Sequence, residues 1–270
     1  MTTQADKISA FRALHARGCF ALPNPWDAGS ARYLQALGFQ ALASTSAGFA
    51  WSTGRLDYQL TVEDVLGHLT RLCAASDLPV NADFEGGFAV EPDGVAANVR
   101  RAIQTGIAGL SIEDRAEPGA ADPLLDPSLA VERIRAARAA IDTGGTDAVL
   151  TARCEGYLVG QTELAPTIAR LIAYAEAGAD CLYAPGLAAD EDIRAVVRAV
   201  APLPVNVLVF DYRWTTAHLA GLGVRRISLG GALARKAYAE AMTTAKAWLD
   251  SGALTGLSAD LPLPFAEVFK

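Results

Sequence analysis

The chain has 270 residues, enough for one large α/β barrel or two ordinary domains. Its composition, 51% hydrophobic and 20% charged, provides for a sizeable core and argues against extended disorder. With 30 acidic against 23 basic residues, a formal charge of -7 and no run of Lys or Arg, it is not expected to bind nucleic acid.

The elements follow one another in a regular order. A helix is expected over residues 5–16, with Ile8, Phe11 and Leu14 on one face and Gly18 as its stop. A short strand over 19–22 leads into Asn24-Pro25-Trp26-Asp27, where Asp27 can cap a helix running to Leu37. The pattern then repeats. Strands are expected over 40–44, 80–83, 110–113, 148–153, 181–184, 205–210 and 224–229. Helices are expected over 61–75, 92–105, 128–141, 163–177, 190–200, 215–220 and 232–249, and a Gly/Ser/Thr loop over 45–57. Eight strand-then-helix units imply a parallel sheet covered by helices and fit a closed (β/α)8 TIM barrel better than an open sheet. No G-x-G-x-x-G follows the first strand, which disfavours a dinucleotide fold. One barrel domain over 1–270 is expected, with 251–270 as a C-terminal extension.

The cysteines, Cys19, Cys73, Cys154 and Cys181, show no metal-ligand spacing and read as buried reduced thiols. The first residues lack a basic region followed by an apolar run, and no apolar stretch is long enough to span a bilayer, so a cytoplasmic protein without membrane contact is expected.

In a (β/α)8 barrel the chemistry sits at the carboxyl ends of the strands. There the second strand presents Ser44, Thr45 and Ser46, and its loop carries Asp57. The third ends in Asp83-Phe84-Glu85, whose two carboxylates, two residues apart, are expected to point the same way by strand alternation. The fourth ends in Glu113-Asp114, the fifth in Arg153-Cys154-Glu155; the sixth and seventh offer Tyr183 and Asn206. Converging acids need a cation or a proton to be tolerable. Mg2+ is held by one or two carboxylates with several waters, which further acids orient. Asp57, Asp83, Glu85 and Glu113 are therefore candidate metal residues for Mg2+ or Mn2+. Arg153 can hold a substrate carboxylate in a bidentate fork, with Ser44, Thr45, Ser46 and Asn206 as further substrate contacts and Arg153, Asp57 and Glu113 as catalytic candidates.

Plainer readings stand beside these. Asp57 alone reads as a solvated loop acid, and Glu113 can pair structurally with Arg153. Asp114 is expected to point away from the axis toward a helix or loop, and Glu155 to support the site from behind. His15, His68 and His218 lie on predicted helices and read as surface or packing. Gly230-Gly231 before the last helix can cradle a phosphate, although a tight turn also explains it.

Taken in order, Asn24-Pro25-Trp26-Asp27-Ala28-Gly29-Ser30, Ser44-Thr45-Ser46-Ala47-Gly48, Asn81-Ala82-Asp83-Phe84-Glu85-Gly86-Gly87-Phe88, Gly109-Leu110-Ser111-Ile112-Glu113-Asp114 and Leu150-Thr151-Ala152-Arg153 resemble the isocitrate lyase/phosphoenolpyruvate mutase superfamily. The resemblance implies a Mg2+-binding barrel that forms or breaks C–C or P–C bonds in small 2-oxo acids. It implies Asp83 as the direct metal ligand, with Asp57, Glu85 and Glu113 around it. It also implies a homo-oligomer, a tetramer or a dimer that exchanges its last barrel helix. Isocitrate-type and methylisocitrate-type lyases of that superfamily carry Lys-(Lys/Arg)-Cys-Gly-His in the loop after the fourth strand. The loop here, Arg115-Ala116-Glu117-Pro118-Gly119-Ala120-Ala121-Asp122-Pro123, has no Cys, Lys or His, and Glu85 stands where many relatives carry Asp. A lyase acting on a small 2-oxo or 2-hydroxy di- or tricarboxylate through a metal-stabilised enolate is expected, either oxaloacetate-decarboxylase-like or methylisocitrate-lyase-like. P–C bond chemistry and a non-catalytic carboxylate-binding barrel are the alternatives.

Overall fold

The computed structural model describes residues 2–117, 119–258 and 260–269; Pro118 of the fourth-strand loop and Ala259 and Lys270 of the tail lie outside them. Eight parallel strands alternate with helices: β1 (Phe20–Leu22), β2 (Leu42–Ala43), β3 (Val80–Asp83), β4 (Gly109–Glu113), β5 (Val149–Arg153), β6 (Cys181–Tyr183), β7 (Val205–Leu208) and β8 (Arg226–Ser228). Their order around the sheet, β1-β8-β7-β6-β5-β4-β3-β2, is that of a (β/α)8 barrel. The ladder stops between β1 and β2. There one backbone bond, Ala43 N–H to the Pro23 carbonyl at 3.0 Å, carries the closure among the described residues. Pro23 has no N–H with which to continue it.

Helix α1 (Gln4–Ala16) closes the amino-terminal end of the barrel. Thr3 and Asp6 form a capping box at its start. Phe11 is fully buried, and Lys7 Nζ donates to the Cys73 and Ser76 carbonyls, ahead of β3. The barrel helices are α2 (Ala28–Ala36), α4 (Val62–Ala75), α5 (Pro92–Ile103), α6 (Pro127–Thr143), α7 (Leu164–Glu176), α8 (Asp190–Val200), α9 (Thr216–Gly221) and α10 (Ala232–Ser251). Asp27 and Thr61 cap α2 and α4 through reciprocal bonds to Ser30 and Asp64.

The expected 45–57 loop contains a further helix, α3 (Ser46–Ser52). Its small, hydroxylated residues resemble a loop, but the Thr45 hydroxyl accepts the Gly48 N–H and starts a helical turn. The tail ends in α11 (Phe265–Val268), which packs on α2 through Tyr33, whose hydroxyl donates to the Leu263 carbonyl at 2.7 Å. Helix α10 buries only Ala234 among its described residues and leaves Tyr238, Met242, Trp248 and Leu249 exposed. No helix among the described residues is long and apolar enough to cross a membrane.

Candidate active site

Arg153, at the end of β5, sits at the centre of the strand-end face. Its Nη1 is 2.6 Å from Asp83 Oδ1, while Nε and Nη2 are both 3.0 Å from Glu155 Oε1. Nη2 is also 3.1 Å from Glu113 Oε2, but without the alignment of a hydrogen bond. The register explains the meeting: Glu113 pairs with Arg153 across β4–β5, and Arg153 with Tyr183 across β5–β6. Burial works against the charge on Arg153, but the carboxylates of Glu155, Glu113 and Asp83 outweigh it and hold the guanidinium protonated. The pairing of Glu113 with Arg153 weighed from the sequence is thus present. The substrate fork expected of Arg153 is already taken up by the protein's own acids.

Asp83 is fixed from two further sides. Its Oδ2 accepts the Ser46 N–H at 3.0 Å, and its own N–H donates to Ser44 Oγ at 2.8 Å. Since Ser44 Oγ accepts from Asp83, its O–H proton remains available to donate. Thr45 serves instead as the cap of α3. Asn206 is committed on both sides, donating to Ser228 Oγ and accepting from Arg226 Nε. A cavity of about 270 Å³ is lined by Ser44, Thr45, Ser46, Asp57, Asp83, Arg153 and Asn206.

Glu85 is not placed by strand alternation with Asp83. Strand β3 stops at Asp83, and Glu85 adopts the left-handed conformation at φ 46°. With Glu113 it lines a neighbouring cavity of about 330 Å³. Tyr58, itself at φ 63°, and Arg115 line both cavities. Arg115 lies over the Tyr58 ring at 4.4 Å, and the Tyr58 hydroxyl donates to Glu113 Oε1 at 2.9 Å.

The acids are strained electrostatically. Burial pushes Glu85 to about 8, and Asp83 and Asp57 add to the rise. Asp57 is raised by burial and then by Asp83, and burial raises Glu113 and Glu155 despite Arg153. Asp57 Oδ1, Glu85 Oε1 and Glu155 Oε2 are buried without a hydrogen-bond partner. Among the described residues no three His, Cys, Asp or Glu side chains stand close enough to grip a metal directly. Unpaired, mutually repelling oxygens around Asp83 suit a hard cation that keeps most of its waters, so the residues present fit Mg2+ or Mn2+ held in that way.

Arg133 and Tyr58 are among the side chains shaping the site that sequence reasoning missed. Arg133 of α6 donates to the carbonyls of Glu113, Gly86 and Ala89 and so fixes the β3 and β4 loops to each other. Its signal was an arginine on the face that Ala130, Ile134 and Ala137 bury. Tyr58 gave no signal. Asp114 points toward α7 as expected, accepting from the Tyr174 hydroxyl at 2.6 Å and from the Glu155 N–H at 2.8 Å. Arg170 joins it and also holds the Leu125 carbonyl, fixing both ends of the loop after β4. His68 stacks on Phe49 as packing. At Gly230-Gly231, read from the sequence as a phosphate cradle or a tight turn, Gly230 takes the left-handed conformation of a turn, and the Leu229 and Gly230 N–H groups both donate to Asn24 Oδ1, at 2.9 and 3.0 Å.

A barrel that gathers buried acids and an arginine at the carboxyl ends of its strands has the layout of a (β/α)8 enzyme. Residues 11–249 match the family described as phosphoenolpyruvate phosphomutase. The chain is 34% identical over 214 residues to an oxaloacetate decarboxylase of Bradyrhizobium sp. (strain BTAi1 / ATCC BAA-1182), covering 76% of this chain and 71% of that protein. It is 32% identical over 192 residues to 2-methylisocitrate lyase of Escherichia coli (strain K12), covering 68% and 64%. A crystal structure of a candidate lyase/mutase from Burkholderia cenocepacia J2315 superposes with a TM-score of 0.93 at 45% identity, over 98% of this chain and 96% of that one. The chain belongs to the phosphoenolpyruvate phosphomutase family, within the isocitrate lyase/phosphoenolpyruvate mutase superfamily of enzymes.

Proposed function

We propose that the protein is a Mg2+- or Mn2+-dependent lyase that cleaves a C–C bond of a small 2-oxo or 2-hydroxy dicarboxylate, with decarboxylation of an oxaloacetate-like acid as its reaction. The observation that carries this reading is the set of buried acids with unpaired oxygens around Asp83. Asp83 would be the direct ligand, with Asp57, Glu85 and Glu113 accepting from the ion's waters. Bound there, the ion supplies Lewis-acid polarisation of a 2-oxo group and stabilises the negative charge that develops as the bond breaks. The chain's own residues position the reactants. Arg153 keeps Asp83 and Glu155 oriented, Ser46 N–H holds the far oxygen of Asp83, and the Ser44 O–H is the donor for a substrate carboxylate. The loop after β4 carries no Cys, Lys or His. A retro-aldol cleavage needs a positioned acid and base; decarboxylation needs only a sink for the electron pair, and water can protonate the product. The names of the oxaloacetate decarboxylase and 2-methylisocitrate lyase relatives support the same class.

The exposed apolar residues of α10 support a homo-oligomer in which that helix meets a second copy. The decisive experiment is a Mg2+-dependent screen for pyruvate or CO2 release from oxaloacetate, methylisocitrate, malate derivatives and phosphonopyruvate. Turnover of oxaloacetate is expected. Turnover of phosphonopyruvate alone, or of none of these acids, refutes the proposal.

A further inference from the structure

Below the mouth, the barrel interior is polar where such barrels are usually filled by Val, Ile and Leu. Asn81 of β3, Ser111 of β4, Asn206 of β7 and Arg226 of β8 all line the 270 Å³ cavity. Arg226 is 2% exposed, yet every hydrogen-bond partner it has among the described residues is neutral. Its Nε donates to Asn206 Oδ1 at 2.8 Å, and its Nη1 lies 3.4 Å from His15 Nε2 and 3.5 Å from Asn81 Oδ1. His15 does not counter the charge. Its Nδ1 is 2.8 Å from the Phe11 carbonyl, so that nitrogen carries the proton, and burial together with Arg226 lowers its pKa to about 3. A buried guanidinium is ordinarily matched by an anion. The contrast with Arg153 is direct: the arginine at the mouth is surrounded by carboxylates, while the one on the floor pairs with none among the described residues.

We infer that Arg226 is the floor of the substrate cavity and binds the second acidic group of a dicarboxylate, whose first acidic group stays at the Asp83 end. Its amide partners Asn206 and Asn81 hold the guanidinium in place without neutralising it. The inference deepens the lyase reading and rests on it for the choice of ligand class. It makes Arg226 a specificity residue, selecting acids charged at both ends and rejecting monocarboxylates of equal length.

The test is calorimetric binding in Mg2+ of succinate and of its monoamide, succinamate, to the intact protein, so that neither length nor turnover enters. The intact protein is expected to prefer succinate by about tenfold to a hundredfold, the range of a charge-assisted hydrogen bond. In R226Q that preference vanishes, while succinamate affinity stays within about threefold of its starting value. Retained preference in R226Q, no preference in the intact protein, or an equal fall for both ligands each overturns the inference, the last by reducing Arg226 to a support for α1. Should R226Q fail to fold, R226K decides: a shorter cation without the fork loses most of the preference if Arg226 reads the anion, and an unchanged preference overturns it. If no acid in the screen is cleaved but the preference follows Arg226, the lyase reading fails and the subsite stands. If oxaloacetate is cleaved and R226Q leaves the preference intact, the subsite fails and the lyase reading stands.

Discussion

Glu85 offers a direct test of the acid cluster. Burial raises it from its ordinary 4.5 to about 8, with Asp83 and Asp57 adding to the rise. A carboxyl raised on folding keeps a proton that the unfolded chain has already released. Its contribution to stability is therefore fully present below pH 4.5 and is lost as pH rises toward about 8. At about 1.4 kcal/mol per tenfold change in proton affinity, this one group removes about 3 kcal/mol between pH 5 and pH 8. For a chain of 270 residues this corresponds to roughly 5 °C in Tm. Glu85→Gln keeps the shape and removes the titration. In calorimetry with a chelator present, the fall in Tm from pH 5 to pH 8 should be smaller in the variant by that amount. Adding Mg2+ at pH 8 should raise the Tm of the parent more than that of the variant, because the cation relieves a repulsion that the amide lacks. An equal fall in both proteins would refute the account of Glu85 as a buried, proton-holding acid.

Other substitutions probe the same face. Asp83→Ala should lower Mg2+-dependent turnover by at least about a hundredfold while leaving the melting profile cooperative, because Arg153 retains Glu155; unchanged turnover contradicts the metal-site assignment. Arg153→Met leaves Asp83, Glu113 and Glu155 without their common cation and should cost about 3–5 kcal/mol in urea unfolding at pH 7. Asp114→Ala removes the acceptor shared by Tyr174, Arg170 and the Glu155 N–H and should cost about 2–4 kcal/mol. Trp248→Glu places a charge on the exposed face of α10 and should shift light scattering from an oligomer toward the monomer without changing the far-ultraviolet spectrum.

The barrel was legible because its punctuation is local. Strand 80–83 is entered through Pro79 and helix 190–200 opens on three acids, and both were placed at their observed limits. Closure alone demanded that strand ends meet, so Asp83, Glu113 and Arg153 could be gathered from chain order. The details that failed depend on the third dimension. Alternation predicted a shared face for Asp83 and Glu85, but the chain leaves β3 at Asp83 and turns through a left-handed residue. Arg153 has the sequence appearance of a substrate residue, and only the register across β4 and β5 shows how many protein carboxylates it already holds. Arg226 was passed over because an arginine in a short strand gives no sign of whether it faces solvent or the barrel axis.

The seam between β1 and β2 has a mechanical consequence. The strongest lateral joint of strand β1 is to β8, its neighbour in space and nearly the whole chain away in sequence. Among the described residues its joint to β2, next in sequence, consists of the Ala43–Pro23 backbone bond and the Asn24 side chain reaching the Ser44 carbonyl at 3.0 Å. The molecule is thus closer to a bent ribbon whose ends are clipped together than to a uniform hoop, and the clip lies beside Ser44. Local opening should start there, where the fewest hydrogen bonds resist it.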